Sequence, residues 1–127
     1  MKAGSKDEGL DAAGHHTTPV PTGMMTYRTN PKTGEKVSIL GYGWMRLPTI
    51  KGGSGRTQEN PQQDELDQEE INRLCKYALD HGVNYFDTSP AYCRGRSEES
   101  LGKALKASGY SRDQYFIATK LSNFSPQ

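Results

Sequence analysis

Hydrophobic positions recur with a helical period in the middle of the chain. Five apolar or small residues stand at intervals of three and four, on one face of a helix: Ile71, Leu74, Cys75, Ala78 and Leu79. Asp67 followed by Glu70 is typical of a capping box at a helix start, and Gly82 is typical of a left-handed stop. The pattern predicts an amphipathic helix between these residues that packs on a sheet.

A second helix and three apolar runs complete a repeating order. Ser97 is a candidate N-cap for a helix that buries Leu101, Ala104 and Leu105 and ends at Gly109. Short apolar runs with strand character occupy residues 39–43, 83–88 and 115–120. Because crossovers between strands of one sheet are right-handed, the order β-α-β-α-β predicts an α/β fold with a parallel sheet.

The chain before residue 39 has a different pattern. Residues 24–28 and 35–39 flank a turn rich in Pro and Gly, which predicts a small antiparallel hairpin. Residues 1–24 have no apolar period and predict a disordered tail. The long polar connection between residues 49 and 66 is either a mobile loop near a ligand or an insertion without a role.

Composition and charge narrow the class of protein. The 127 residues carry a net charge of +1 and are 32% hydrophobic with a mean hydropathy of −0.86, which is compatible with one domain. This balance predicts neither a nucleic-acid nor a membrane partner, and the polar start of the chain predicts a cytoplasmic protein. No Gly-rich phosphate-binding motif of the dinucleotide or P-loop type is present.

The sequence has three histidines and two cysteines. His15 and His16 lack further ligands nearby, so no metal site is predicted. Both cysteines are expected to be reduced thiols, with Cys75 in the core. Cys93 lies beside Arg94 and is either an ordinary thiol in a polar loop or a redox-sensitive thiol whose pKa is lowered by nearby cations.

Three chemically active side chains follow the predicted strands. Asp87 ends one strand, Tyr92 follows it after a short turn, and Lys120 ends the next strand. Carboxyl ends of parallel strands meet at one rim, where ligands collect. A nearby ammonium makes a phenol a stronger acid, so Tyr92 could protonate a developing alkoxide while a bound reductant delivers hydride.

The segments around these residues resemble the aldo-keto reductases. They read Gly-Val-Asn-Tyr-Phe-Asp-Thr-Ser-Pro-Ala-Tyr, Gly-Arg-Ser-Glu-Glu-Ser-Leu-Gly-Lys-Ala-Leu and Ile-Ala-Thr-Lys. The resemblance implies that residues 25–127 are the amino-terminal portion of a (β/α)8 TIM barrel whose bottom is closed by the hairpin. The segment Leu-Gly-Tyr-Gly-Trp-Met-Arg-Leu-Pro resembles a branch whose full-length members often carry an iron–sulfur cluster.

The resemblance also implies roles for individual residues. Tyr92 becomes the proton donor, Lys120 the cation that acidifies it, and Asp87 the partner of Lys120 close to the nicotinamide ribose. The backbone of Gly43, Trp44 and Met45 lines the nicotinamide, as the equivalent loop does in the family. These roles predict reduction of a small-molecule carbonyl with NADPH, which the family uses more often than NADH.

The chain departs from the family pattern in three respects. Cys93 stands where the family usually has glycine, and a fourth catalytic residue, a histidine, would lie beyond Gln127. A complete barrel needs about 250 residues, which is twice what is present. The alternative prediction is therefore a catalytically inactive barrel fragment that acts only as a folding or assembly module, and the sequence leaves the substrate and the oligomeric state open.

Overall fold

The computed structural model describes residues 23–50 and 65–121. The predicted tail, apart from its last two residues, and the middle of the connection between residues 49 and 66 lie outside these ranges. In chain order the elements are β1 Tyr27–Thr29, β2 Lys36–Ser38, β3 Tyr42–Gly43, α1 Gln68–Asp80, β4 Tyr85–Asp87, α2 Ser97–Ser108 and β5 Phe116–Ala118. Two short 3₁₀ turns, Tyr92–Gly95 and Arg112–Gln114, precede α2 and β5 respectively.

The predicted hairpin is confirmed. Strands β1 and β2 pair antiparallel, with Tyr27 opposite Ser38. Asn84, just before β4, accepts a hydrogen bond from the Ser38 amide at 2.8 Å and donates one to the Lys36 carbonyl at 2.9 Å. The Tyr27 hydroxyl donates to the carbonyl of Gly82 at 2.8 Å. These bonds hold the hairpin against the amino-terminal end of β4, opposite the end that carries Asp87.

The predicted parallel sheet is present, with shorter strands than the apolar runs suggested. Its strand order is β3-β4-β5, and both pairs are parallel. The run from residue 83 begins outside the sheet because the Val83 amide donates to Ala78 at the end of α1. Lys120 is also outside it, since the last register pair joins Asp87 to Ala118. Within the described residues, the edge strands β3 and β5 each pair on one side only. These strands therefore form part of a barrel wall and do not close a barrel.

Both helices pack on one face of the sheet. Their apolar stripes and the outward residues of the strands form a single buried cluster, which includes Trp44, Ile71, Phe86 and Leu101. The Trp44 ring contacts Phe86 edge to face, with centroids 5.8 Å apart. Successive strand residues point to opposite faces. Because Phe86 faces the helices, its neighbour Asp87 faces the other side, which is the inner side of a barrel wall.

Helix ends follow the predicted signals with one exception. The Asp67 carboxylate accepts from the Glu70 amide at 3.0 Å, which confirms the cap of α1. Gly109 ends α2 with φ of 80° in the left-handed region. The prediction that Ser97 is the N-cap of α2 is wrong, because Arg96 occupies that position and Ser97 is the first helical residue. The Ser97 hydroxyl is turned into the core, where it bonds to two other segments.

The connection after β3 is closed at its base. Thr49 and Leu66 form an antiparallel bridge, and the Ile50 amide donates to Glu65 at 3.0 Å. Residues 51–64 between these ends lie outside the described ranges, so both predictions for this loop stay open. No helix among the described residues combines the length and the apolar character that crossing a membrane requires.

Candidate active site

An ion pair joins the ends of β4 and β5. Asp87 is the last residue of β4, and Lys120 lies two residues beyond Ala118 at the end of β5. The Lys120 Nζ donates to the Asp87 Oδ1 at 2.7 Å and to the carbonyl of Thr88 at 3.3 Å. Both charged side chains remain accessible, with 42% and 43% of their surfaces exposed. The pair thus lies at the rim, where a ligand can reach it.

Tyr92 completes the group that the sequence predicted. It opens the 3₁₀ turn after β4, and its half-buried ring has its centroid 5.0 Å from the Lys120 Nζ. The interaction with Asp87, and after it the interaction with Tyr92, raises the pKa of Lys120 above its ordinary value of 10.5. Lys120 is therefore a cation at neutral pH, next to both an acid and a phenol. The structure brings all three predicted residues together.

The backbone after Tyr92 has an unusual conformation. Cys93 and Arg94 both have positive φ angles, 53° and 58°, in the left-handed region that non-glycine residues seldom adopt. Cys93 stands where the resemblance places glycine, the residue that adopts this conformation without strain. Its thiol is buried and donates to the carbonyl of Met45 at 3.3 Å. The loop therefore takes a turn suited to glycine with a cysteine in it.

The structure confirms the prediction for Cys75 and differs from the predicted lowering of the pKa at Cys93. Burial raises the pKa of Cys93, and a backbone hydrogen bond from Leu47 and the charge of Arg96 oppose this only in part. The predicted lowering of the Cys93 pKa by nearby cations is therefore wrong, because desolvation disfavours the thiolate more than the nearby arginine favours it. Cys75 is a core residue as predicted, and burial raises its pKa to about 12.

The segment predicted to line a nicotinamide runs beside Asp87. Gly43 is the register partner of Asp87, is exposed, and has no atom within 4 Å of where a Cβ would be. The Trp44 amide donates to the Asp87 carbonyl at 2.8 Å, whereas the Trp44 ring is fully buried in the core. Met45 follows it, half-buried. Open space at Gly43 beside a carboxylate is compatible with the flat end of a dinucleotide.

The sequence reasoning missed the hydrogen bonds of three hydroxyl residues near this site, Ser97, Thr88 and Thr119. Ser97 donates to the Trp44 carbonyl at 2.7 Å, and its oxygen is 2.8 Å from the Thr88 hydroxyl. On the outer side, Thr119 donates to the Glu98 carboxylate at 3.0 Å and ties the segment before Lys120 to α2. Serine before a helix signalled only a cap, and nothing local indicated that its partner is 53 residues away.

The described residues do not include a set of metal ligands. Within residues 23–50 and 65–121, no group of three or more His, Cys, Asp or Glu side chains is placed to hold a metal ion. What this rim offers is a cation, a carboxylate and a phenol beside an accessible strand end. That combination suits proton transfer to an oxygen atom.

Comparison with known proteins places these features in a family. The model of the aldo/keto reductase family matches residues 41–127. A probable voltage-gated potassium channel subunit beta of Arabidopsis thaliana is 33% identical over 98 residues, covering 76% of this chain and 25% of that protein. The aldo-keto reductase YhdN of Bacillus subtilis is 37% identical over 97 residues, with the same coverage of 76% and 25%.

A solved structure agrees with the sequence matches. The holo form of aldo-keto reductase AKR11C1 from Bacillus halodurans is similar with a TM-score of 0.55 and 32% identity, covering 78% of this chain and 26% of that one. The chain thus spans about a quarter of the length of the relatives it matches.

Proposed function

Because this chain belongs to the aldo/keto reductase family, we propose that the full-length protein containing it reduces an aldehyde or ketone to an alcohol with NADPH, or with NADH in its place. The observation that carries the proposal is the meeting of Asp87, Tyr92 and Lys120 at one accessible rim. The family as a whole performs oxidoreduction of carbonyl compounds, and the rim supplies the groups that such a reaction needs from the protein.

The proposed cofactor-binding residues come from the segment after β3. Gly43, Trp44 and Met45 would present their backbone to the nicotinamide, and Asp87 would lie near its ribose. Support comes from the open space at Gly43 and its register with Asp87. When bound, the reduced nicotinamide supplies a hydride to the carbonyl carbon. The chain's own residues supply the rest of the reaction.

Tyr92 acts as the proton donor in this proposal. As the carbonyl oxygen gains negative charge, the phenol hydroxyl donates its proton to that oxygen, so that hydride and proton together give the alcohol. The phenolate that remains is stabilised by the ammonium of Lys120, 5.0 Å from the ring centroid. Asp87 holds that ammonium in place through the contact of 2.7 Å. Solvent then returns the proton to the phenolate.

We further propose that the 127 residues alone do not turn over a carbonyl compound. The described sheet has open edges at β3 and β5, and Leu121 next to the second edge is fully exposed. An open rim orients a cofactor poorly, and exposed edges favour association with other strands. These edges are also what favours the alternative, in which the isolated piece serves only as a folding or assembly module.

The test uses the full-length protein with Tyr92→Phe. We expect turnover to fall by roughly 10²-fold or more, because the proton donor is lost, while NADPH binding measured by fluorescence titration stays nearly unchanged. Tyr77→Phe is the matched control, since Tyr77 lies on α1 and stacks on His81 at 4.0 Å, away from the rim. Unchanged turnover in Tyr92→Phe would remove Tyr92 from the mechanism.

The isolated chain is tested separately. Purified residues 1–127 should show no oxidation of NADPH above background with simple aldehydes. Sustained, aldehyde-dependent oxidation by this piece would refute its proposed inactivity and the alternative of a mere assembly module.

A further inference from the structure

Two buried hydroxyl groups lie directly beneath the rim. Ser97 is 0% exposed and Thr88 is 2% exposed. Their oxygen atoms are 2.8 Å apart, and the Ser97 oxygen is 2.7 Å from the backbone carbonyl oxygen of Trp44. Burying a polar group costs free energy unless it is hydrogen bonded, and here each hydroxyl has its partner in another segment.

The number of protons on each group determines which group donates in these hydrogen bonds. Each hydroxyl has one proton to donate, whereas a carbonyl oxygen only accepts. The proton of Ser97 is therefore used on the Trp44 carbonyl, and the proton between the two hydroxyls comes from Thr88. The result is a directed chain from Thr88 through Ser97 to Trp44, which joins the end of β4, the start of α2 and the segment after β3.

Both ends of this chain touch the proposed active site. Thr88 follows Asp87, and its carbonyl accepts from the Lys120 ammonium at 3.3 Å. Trp44 donates its amide to the Asp87 carbonyl at 2.8 Å and belongs to the segment proposed to line the nicotinamide. We propose that Thr88 and Ser97 are positioning residues that hold the proton-donating side of the site at a set distance from the cofactor side. This inference rests on the proposed function.

Loss of the Ser97 hydroxyl breaks the chain at both of its bonds. Without the Ser97 oxygen, the Trp44 carbonyl is left without this donor and Thr88 without this acceptor. A buried carbonyl in that state turns toward another donor or admits water, and either response moves the segment after β3. A misplacement of about 1 Å can lower the rate of a reaction between bound groups by roughly 10²-fold. The effect is therefore expected in kcat, with KM for the carbonyl substrate nearly constant.

Ser100 provides a matched control in the same helix. It is buried like Ser97, but within the described residues its hydroxyl has no hydrogen-bond partner. In the full-length protein, Ser97→Ala should lower kcat roughly tenfold, with KM changed by less than about twofold. Ser100→Ala should match the wild type in both. Equal kcat values for the two variants would overturn the proposal.

Thr88 offers a second pair of variants if Ser97→Ala fails to fold. Thr88→Val keeps the shape and loses the hydroxyl, whereas Thr88→Ser keeps the hydroxyl. We expect Thr88→Val to lower kcat with KM nearly unchanged and Thr88→Ser to restore kcat. Equal loss in both would mean that the hydroxyl by itself does not sustain kcat, which would overturn the positioning role.

Hydrogen exchange separates this inference from the proposed function. By mass spectrometry, amides of residues 44–46 should exchange faster in Ser97→Ala than in Ser100→Ala. Unchanged exchange would refute the structural link itself. Faster exchange, together with full activity of Tyr92→Phe, would refute the proposed function and with it the catalytic role of the link. The positioning role alone would be refuted if the wild type is active, Tyr92→Phe is inactive and Ser97→Ala is fully active.

Discussion

Replacing Cys93 with alanine and with glycine separates the backbone conformation at this position from the contacts of its side chain. Both substitutions remove the buried sulfur and its hydrogen bond to the Met45 carbonyl, so these losses cancel when the two variants are compared. What remains is the Cβ atom at a φ of 53° and ψ of 40°. In this region the Cβ atom of an L-residue crowds the following carbonyl oxygen, at a cost of roughly 1–2 kcal/mol.

The magnitude follows from a comparison with an ordinary helical position. Ala107 is exposed in α2, where replacing alanine with glycine costs about 1 kcal/mol, mainly because glycine is freer in the unfolded chain. The same unfolded-state effect applies at residue 93. There, however, glycine also relieves the crowding, and the loss of a buried methyl offsets at most about 0.8 kcal/mol of that gain. The change from alanine to glycine should therefore be about 1 kcal/mol more favourable at residue 93 than at residue 107.

Urea unfolding of the full-length protein measures this difference. The variants are Cys93→Ala, Cys93→Gly and Ala107→Gly. Their unfolding free energies are compared where the slope of free energy against urea concentration is the same for each. We expect Cys93→Gly to be at least as stable as Cys93→Ala, and Ala107→Gly to be less stable than the wild type. If glycine destabilises position 93 relative to alanine as much as it does position 107, the left-handed turn after Tyr92 is not formed in the protein.

Two further predictions concern the rim and the hairpin. Asp87→Asn should move the alkaline limb of the pH profile of kcat/KM to lower pH, because Asp87 is the largest cause of the raised pKa of Lys120. A raised pKa means that the ion pair is intact below the ordinary pKa of lysine. The pair is lost as the pH rises through the raised value. An alkaline limb that stays in place would contradict this. Asn84→Asp should lose the donation to Lys36 and so speed amide exchange in residues 27–38, whereas Asn72→Asp on α1, which introduces the same charge, should not. Equal exchange in both variants would show that the hairpin is held by other contacts.

Elements defined by local patterns were predicted well. The stripe of α1, its Asp67 cap and the left-handed Gly109 all depend on neighbours within a few residues, and the structure has each of them. The parallel arrangement of the strands also follows from the sequence, because strands that are joined through helices pair in parallel by right-handed crossovers. The lengths of the strands could not be predicted from the sequence in this way. An apolar run indicates burial, but pairing requires a neighbouring strand in register, and residues 83 and 120 have none.

Some predictions remain without a test. The roles of Asp87, Tyr92 and Lys120 in catalysis, the cytoplasmic location and the absence of nucleic-acid or membrane partners stay predictions. The branch with an iron–sulfur cluster is also a prediction only, because its ligands would lie beyond this chain.

The sequence by itself determined the family, the order of elements and which three side chains meet at the rim, because these depend on motifs and on the rule that parallel strands end at one edge. Only the tertiary structure decided the burial of Cys93 and the hydrogen-bond partners of Ser97. Burial by segments far along the chain raises the pKa of the Cys93 thiol. The acceptor of Ser97 lies 53 residues away. Desolvation and long-range hydrogen bonds arise from packing, and no local pattern of residues encodes them.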